Sequence, residues 1–532
     1  MFTKIKLWVF KYEVGPLLAF IFLGGFLSLF LGQDISSYTM TNKLYPPYAL
    51  LNGRLSIDFL VGGVGTLGQN PLLLLPYYVV FVLLNSYSKL SMFLLGVPYG
   101  LMGFFAYKIL KSLKVFTTKK LFFVIFLLVS ITCQATLNQI GKSGGNLWLA
   151  VLELAAVWIF FFSSLKISTK YKLGFFIASF GVGLHVSALP LWVAMLAVIL
   201  FKKTEQKWSL LAKALLYSLL GFLLGIMPLL WYSWQSVGSL EPAFNALIPQ
   251  GWLFPKSSLA NPFESPFGCI EWLFLPFVRV FYGLDGYLLS ASIAGGLLAA
   301  VLLIGKSYLG TACERAEEKQ NLLPCLYICM YACWLLAFRD AASSIILEVL
   351  GVLLIGQCLC WLFGDLATIC IAVCGFWYVF HPSISQDRQG VEKENFYFSQ
   401  KPALTDNSLV LLAGHISDLV PFLPSNITYV GGAWFDEKDY GEKNQFFVQR
   451  FNTLPSGYYS HQFDEKIKNK IEQHQGDIFV LCLKDDIVEN AKTWSRYGVA
   501  WKDTKETCQQ LYPNSTSSDP YLLCRAEKAE KK

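Results

Sequence analysis

The 532-residue chain is 55% hydrophobic and only 15% charged, and its formal net charge is +7. Soluble domains carry roughly 25% charged residues, whereas runs of about 20 uncharged apolar residues are long enough to cross a bilayer. The lysines gather in short loops between apolar runs, with no basic tail and no zinc-finger spacing, so the positive charge does not indicate nucleic-acid binding. The composition excludes an ordinary soluble protein and predicts an α-helical polytopic membrane protein.

The first apolar run, residues 16–32, follows a basic N-terminus that contains Lys4, Lys6 and Lys11. No small-residue cleavage site follows the run, so it is interpreted as an uncleaved anchor and not as a signal peptide. Basic flanks stay in the cytoplasm. We therefore expect a cytoplasmic N-terminus, with Gln33 emerging on the outer side of the membrane.

A long loop is expected after this span. Two apolar stretches, residues 71–84 and 90–107, precede a lysine cluster at 108–120 that should be cytoplasmic. The cluster would lie outside if both stretches crossed the membrane. The first stretch is short and contains Pro76, so it is interpreted as an interfacial or re-entrant helix. Residues 33–89, called the first loop below, are then one loop outside the cytoplasm.

The other apolar runs alternate across the bilayer in step with the basic loops. Residues 173–201 have lysines at both ends, so they are predicted to form a tight hairpin of two short helices that turns near His185. A second loop outside the cytoplasm, residues 233–286, is rich in Pro, Gly and aromatic residues. In all, about eleven spans are expected. The remaining predicted spans are 121–137, 147–165, 210–232, 287–304, 322–338, 345–363 and 366–380.

The composition changes after His381, where charged residues become frequent and apolar runs shorten. Alternating strands and helices predict a small α/β domain. The chain is therefore divided into a membrane module, residues 1–381, and an extracytoplasmic tail domain, residues 382–532. The predicted strands are 408–413, 427–431 and 477–483, and the predicted helices are 464–474 and 485–497.

Two sets among the thirteen cysteines bear on the interpretation. Cys508 and Cys524 lie in the tail domain, and because disulfides persist outside the cytoplasm, we expect these two to be bonded. Cys325, Cys329 and Cys333 are spaced to share one helix face, but no His or carboxylate accompanies them. They are interpreted as packing residues, and no metal site is predicted.

The large loops are the expected location of chemistry, and Asp34 lies close after the first span. A carboxylate at the lipid–water boundary is partly desolvated, which raises its pKa and suits it to accept a proton. The alternative is a solvated charge at the end of a helix.

Arg54 and Asp58 form a compact polar group in an otherwise apolar part of the first loop. The Arg54 guanidinium offers a planar fork of donors that fits a phosphate. An internal salt bridge between Arg54 and Asp58 is an equal alternative.

Two further ionisable residues are candidates for binding a phosphate. His185 lies at the predicted hairpin apex near the outer half of the membrane, where ionisable groups are often functional. Arg339 lies in the outer turn between two predicted spans and either holds a lipid phosphate or pairs with Asp340. The sequence has no nucleophile elbow, HExxH or CxxC motif, which weakens protease and redox interpretations.

The overall pattern resembles the GT-C class of polytopic membrane glycosyltransferases. The resemblance rests on an acid after the first span (Asp34), interfacial helices in the following loop, a short cytoplasm-facing hairpin and an arginine at the outer end of a late span (Arg339). Similar loop sequences occur in bacterial GT-C-like proteins of comparable length. They are YALLNGRLSIDF (48–59), QNPLLLLPYY (69–78), GSLEPAFNALIP (238–249) and LVLLAGHISDLVPFLP (409–424). One departure is Leu74 and Leu75, where such proteins often carry an acid.

The resemblance implies an inverting, hexosyltransferase-type transfer from a polyprenyl-phosphate sugar to an acceptor in the cell envelope (a glycan, a lipid or a protein). Asp34 would be the general base. Arg54, Arg339 and His185 would hold the donor phosphate, and Asp58 or Glu264 would be a second acid. The implied location is the inner (plasma) membrane. A divalent cation is left open as a cofactor, and nucleic acid is not expected as a partner.

Three other functions remain open. A transporter or flippase would be expected to show paired repeats and midplane charges, and neither is clear. A ligase or polymerase of envelope polysaccharide would use a diphosphate-linked glycan and more loop arginines. A non-catalytic assembly factor would act through the tail domain, and binding of a partner to that domain would distinguish it.

Overall fold

A computed structural model describes most of the chain, and its residues group into two compact units. Unit 1 comprises Met1–Gln33, Met92–Ile226 and Ile248–Gly390, and unit 2 comprises Asp34–Ser91, Met227–Leu247 and Val391–Lys532. The first loop thus falls in the same unit as the tail domain. The described residues are 13–34, 43–61, 67–113, 120–132, 134–142, 145–201, 207–247, 287–309, 318–337, 344–383, 388–389, 394–396, 398, 400–412, 416–431, 456–484, 494–501, 507–512 and 521–528.

Helices make up most of the described chain. The α-helices are α1 (Val14–Leu31), α2 (Tyr45–Leu51), α3 (Pro71–Tyr78), α4 (Ser88–Leu95), α5 (Val97–Ser112), α6 (Lys120–Ile131), α7 (Gln134–Gln139), α8 (Asn146–Val157), α9 (Ile167–Leu184), α10 (Leu189–Phe201), α11 (Lys207–Val237), α12 (Glu241–Asn245), α13 (Tyr287–Leu309), α14 (Glu318–Ala337), α15 (Ile345–Ser383) and α16 (Ser456–Gln473). π-helical turns extend α3 at Val79–Leu83 and α8 at Trp158–Phe162.

Within the described part of the chain, four helical segments are long and apolar enough to cross a membrane, judged by length and composition: Val14–Leu31, Asn85–Ser112, Lys207–Val237 and Ile345–Leu366. Six shorter apolar helices accompany them, and one of these is Pro71–Leu83, which corresponds to the stretch predicted to be interfacial. The expected class of helical membrane protein is supported. The expected count of about eleven spans is not confirmed.

Small residues set the closest helix contacts of unit 1. A Cβ placed on Gly24 of α1 would lie 2.3 Å from the Gly96 carbonyl oxygen, and one on Gly100 would lie 2.3 Å from that of Phe20. Glycines that let two backbones approach this closely are typical of helix packing in membranes. The α1 and α5 backbones therefore touch where a larger side chain would separate them.

The predicted hairpin at 173–201 is confirmed. Helices α9 and α10 are joined by a 3-10 turn at Val186–Ala188, with His185 ending α9. Helix α9 begins at Ile167, earlier than predicted. The last two predicted spans are joined in α15, which is interrupted at Gly364 by a backbone φ of 78°. Glycine adopts this left-handed conformation without steric strain.

The tail domain contains β3 (Leu409–Leu412), β4 (Thr428–Gly431), β5 (Ile478–Leu483), β6 (Val499–Trp501), β7 (Cys508–Leu511) and β8 (Tyr521–Lys528). They form a mixed six-stranded sheet in the order β4-β3-β5-β8-β6, with β7 also paired to β8. β3, β4 and β5 are parallel, and β8 runs antiparallel to β5, β6 and β7. The predicted strands at 408–413, 427–431 and 477–483 are confirmed, whereas β6, β7 and β8 were not predicted. The described residues also form two short strands, β1 (Gln33–Asp34) and β2 (Arg388–Gln389).

The predicted disulfide is present. Cys508 and Cys524 face each other across β7 and β8, with their Cα atoms 4.0 Å apart. The three cysteines of α14 are free and partly buried, at positions 325, 329 and 333. The predicted helix at 464–474 lies within α16, and most of the one predicted at 485–497 lies outside the described residues.

Candidate functional site

The polar group of the first loop is built on a short helix and a sharp turn. Tyr45, Pro46 and Pro47 start α2, where proline suits the first helical turn. The helix ends at Asn52, and Gly53 then adopts a left-handed φ of 64°. Because glycine takes this conformation without strain, the chain reverses into a 3-10 turn, Arg54–Ser56.

This turn pairs Arg54 with Asp58. Arg54 donates from Nε to Asp58 Oδ2 at 3.0 Å and from Nη2 to Asp58 Oδ1 at 2.6 Å. The side chains are 6% and 0% exposed, so this is a buried, two-pronged ion pair. The internal salt bridge that the sequence left open is therefore present.

Arg54 is also bound by the tail domain. Its Nη1 donates to the Ser425 carbonyl oxygen at 2.6 Å, and its Nη2 donates to the Ile427 carbonyl oxygen. The guanidinium carbon lies 5.8 Å from the centre of the Tyr429 ring. Four of the five guanidinium N–H groups are thus engaged within unit 2. A phosphate would have to compete with these bonds.

Asp58 has two further donors. The Tyr45 hydroxyl donates to Asp58 Oδ2 at 3.1 Å, and the Tyr429 backbone N–H donates to Oδ1 at 3.0 Å. Burial raises the pKa of Asp58, while Arg54, the Tyr429 N–H and the Tyr45 hydroxyl act to lower it. Burial also raises the pKa of Tyr45, so its hydroxyl stays protonated and acts as a donor. The arrangement holds a carboxylate in place by four donated hydrogen bonds.

The other predicted site residues are not brought into this group by the described structure. The backbone of Asp34 lies in β1, after α1 ends at Leu31, but its side chain is outside what the structure describes. Arg339 and Glu264 are outside the described residues. Their predicted roles stay predictions.

His185 belongs to unit 1 and is exposed at the turn between α9 and α10. Its Nδ1 accepts from the Ser187 backbone N–H at 3.3 Å and lies 2.7 Å from the Ser187 hydroxyl oxygen. In the neutral ring an accepting Nδ1 places the proton on Nε2.

Sequence reasoning missed a second acid, Asp418, which is fully buried on the 3-10 turn Ser417–Phe422. Its carboxylate accepts from the backbone N–H groups of Lys43 at 2.8 Å, Leu44 at 2.7 Å and Tyr45 at 3.3 Å. Burial raises the pKa of Asp418 to about 6, against the lowering effect of these three donors. Its position in the sequence 409–424, which carries part of the family resemblance, was the available signal.

No group of three or more His, Cys, Asp or Glu side chains that could hold a metal ion occurs among the residues the structure describes. A divalent cation has no candidate ligand set in that part of the chain.

Comparisons with known proteins give one informative similarity. No model of a known protein family and no curated protein matches the sequence. The crystal structure of ArnT from Cupriavidus metallidurans bound to undecaprenyl phosphate has a TM-score of 0.53 and 10% identity, covering 98% of this chain and 99% of that chain. The apo form has a TM-score of 0.49 and 10% identity, covering 97% and 98%, and adds no independent support. At 10% identity the similarity is evidence for the fold alone. For the fold, it confirms the resemblance noted in the sequence. Over nearly its whole length the chain shares its fold with ArnT.

Proposed function

We propose that this protein is a multi-pass membrane glycosyltransferase that transfers a sugar from a polyprenyl-phosphate donor to a cell-envelope acceptor, with inversion at the anomeric carbon. The observation that carries the proposal is the fold similarity, over 98% of the chain, to a protein whose crystal structure holds undecaprenyl phosphate. The apolar helices provide the bilayer setting that a lipid-linked donor requires.

Asp34 is the general base of this proposal. The acceptor hydroxyl attacks the anomeric carbon, its proton passes to the carboxylate, and the bond from that carbon to the phosphate oxygen breaks. Polyprenyl phosphate leaves with the bonding electrons. Support comes from the position of Asp34 three residues after the end of α1, where the proposed topology puts the membrane boundary.

Arg339 and His185 are the proposed donor-phosphate ligands. For His185, support comes from its exposed position at the turn between α9 and α10, where Ser187 fixes the ring through Nδ1. Arg54 ranks behind them, since Asp58 already neutralises its charge and two tail carbonyls hold its other donors.

Of the two candidate second acids, Asp58 is the less suited to proton transfer, because four hydrogen bonds occupy its carboxylate. Glu264 remains the alternative second acid in the proposal.

The test is sugar transfer by the purified protein in liposomes that contain a labelled polyprenyl-phosphate sugar and an envelope-derived acceptor. A general base contributes about 10²–10⁴-fold, so Asp34→Asn should lower transfer by about that factor and Asp34→Glu should retain part of the activity. Asp406→Asn, on the tail surface, is the matched control. Full activity in Asp34→Asn would end the assignment. Movement of the donor across the bilayer without transfer would instead identify a flippase.

The proposed location is the plasma membrane, with a cytoplasmic N-terminus and an extracytoplasmic tail domain. The disulfide between Cys508 and Cys524 supports it, because such bonds persist in oxidising compartments. A reporter active only outside the cytoplasm, fused to the C-terminus, should be active. An active cytoplasmic reporter at the same point would contradict this orientation.

A further inference from the structure

The first loop joins the edge of the tail sheet. The Phe59 N–H donates to the Tyr429 carbonyl oxygen at 3.0 Å, and the Gly431 N–H donates to the Phe59 carbonyl oxygen at 2.9 Å. Phe59 thus pairs in parallel with Val430 of β4. A Cβ on Gly431 would lie 1.9 Å from the Leu60 carbonyl oxygen, so this contact requires glycine. The edge of β4, which would otherwise be open to another strand, is covered by the loop.

The start of the loop is held at a second point. Asp418 follows β3 and binds three consecutive backbone N–H groups where α2 begins, at Lys43, Leu44 and Tyr45. In open α/β sheets, ligands bind beyond the carboxyl ends of the parallel strands. The turn that follows β3 here holds a segment of the same chain.

The end of the loop is held at a third point, around Asn395 of the tail. Asn395 is fully buried, and its Nδ2 donates to the Phe81 carbonyl oxygen at 2.8 Å and to Ser91 Oγ at 2.9 Å. Asn85 exchanges side-chain hydrogen bonds with the backbone of Phe396, each at 2.8 Å. The bond from Asn395 to the Phe81 carbonyl oxygen satisfies a backbone acceptor in the π-helical turn Val79–Leu83, where the regular helical pattern is lost.

Helix α16 makes a further contact with the first loop. Lys470 Nζ donates to the Ile57 carbonyl oxygen at 2.9 Å. The Phe463 ring lies edge-on to that of Phe59, with 6.1 Å between the ring centres. Lys468, two residues away on the same helix, is exposed, so it serves as a comparison residue.

From these contacts we propose that the tail domain is a positioning domain, which holds the first loop in the one conformation that supports sugar transfer. Asp418, Gly431, Asn395 and Lys470 are its positioning residues. The proposal rests on the proposed function, because the loop begins at the candidate base and carries Arg54 and Asp58. It assigns the tail domain a role inside the reaction and no separate ligand of its own.

Two matched glycine substitutions in the full-length protein test the proposal. In Gly431→Ala the new Cβ meets the first loop, whereas in Gly476→Ala it meets the tail itself, 2.2 Å from the Asn407 carbonyl oxygen. In both variants the new methyl group comes too close to a backbone carbonyl oxygen, but only in Gly431→Ala does that contact push the first loop away from the tail domain. Hydrogen–deuterium exchange of residues 43–61, kcat and KM for the donor, and the melting temperature are measured for each.

Gly431→Ala should expose residues 43–61 to exchange and lower kcat by about 100-fold, the typical effect of a misplacement of about 1 Å. KM for the donor should stay near the wild-type value, because misplaced reacting groups weaken transition-state stabilisation more than donor binding. Gly476→Ala should keep loop protection and kcat. If Gly431→Ala does not fold, Lys470→Met and its control Lys468→Met carry the same comparison with a smaller perturbation.

Three results distinguish a failure of the positioning role from a failure of the proposed function. Wild-type kcat with an unprotected loop would overturn the positioning role and leave the proposed function standing. Equal loss in Gly431→Ala and Gly476→Ala would also overturn it, since the loss would then follow tail stability. No transfer by the wild type would overturn the proposed function, and exchange alone would then decide whether the tail orders the loop.

Discussion

Removing Arg54 should destabilise unit 2 more than is usual for a charged residue in a loop, because its side chain is only 6% exposed. Arg54→Met leaves the Asp58 carboxylate buried with the Tyr45 hydroxyl and the Tyr429 N–H as donors. It also removes the donors to the Ser425 and Ile427 carbonyl oxygens. Removing one partner of a buried ion pair typically costs about 3–5 kcal/mol, and we expect a loss in that range.

The reverse substitution and the double variant make the reasoning quantitative. Asp58→Asn leaves a buried guanidinium without an opposite charge, because asparagine is neutral and keeps only one acceptor oxygen, and it should cost a similar amount. Arg54→Met combined with Asp58→Asn removes both charges, so its cost should fall short of the sum of the single costs by about 2–3 kcal/mol.

The assay is a denaturant titration in detergent micelles, followed by tryptophan fluorescence. The control is Arg525→Met, which breaks an ion pair of nearly equal length, 2.7 Å against 2.6 Å, between side chains that are 67% and 33% exposed. Exposed pairs contribute about 0–1 kcal/mol, so the control should lose little. Strictly additive costs in the double variant, or equal losses for Arg54→Met and Arg525→Met, would refute the argument from burial.

Three further predictions concern stability. Because the pKa of Asp418 is raised by burial to about 6 from a reference of 3.8, the stability of the wild type relative to Asp418→Asn should fall as pH rises from about 4 to about 7, by about 3 kcal/mol. Melting temperatures across that range check the sign, and a relative gain with rising pH would contradict it. Replacing Cys508 and Cys524 by serine opens a link across 16 residues and should cost about 3 kcal/mol in the same titration, whereas an unchanged midpoint would show that the bond adds nothing. A Cβ on Gly96 would lie 2.1 Å from the Gly24 carbonyl oxygen of α1, so Gly96→Leu should force the two backbones apart and cost about 1–3 kcal/mol or more. Gly305→Leu is the control, because a Cβ at Gly305 meets nothing within 4 Å, and it should melt like the wild type.

The sequence alone was sufficient for features that depend on local composition. A run of apolar residues lowers its free energy by entering lipid as a helix whatever lies elsewhere in the chain, so the hydropathy pattern located α1, the α9–α10 hairpin and the short helix at 71–84. The buried strands β3, β4 and β5 were equally visible as short apolar runs. The disulfide followed from the two cysteines in the C-terminal part of the tail domain and from the expected compartment.

The short strands β6, β7 and β8 were not visible in this way. Half-exposed antiparallel strands are recognised by alternating polar and apolar residues. In β8 the alternation extends over only a few residues, because the burial pattern changes along the strand. The break at Gly364 was placed as a loop between two spans, because a left-handed glycine inside a continuous helical path has no signature in hydropathy.

Only the tertiary structure decided how the candidate site is built. Arg54 and Asp58 are four residues apart, and their pairing was one of two local alternatives, but the carbonyl oxygens and the N–H that hold them come from 371 to 373 residues further along the chain. Asp418 reaches the start of α2 across a similar separation. Contacts at such separations depend on the closure of the whole chain and on which backbone groups remain unpaired at a sheet edge. Composition and spacing contain no information on either. The sequence therefore predicted the tail domain as a separate module, whereas in the structure it packs with the first loop in one unit.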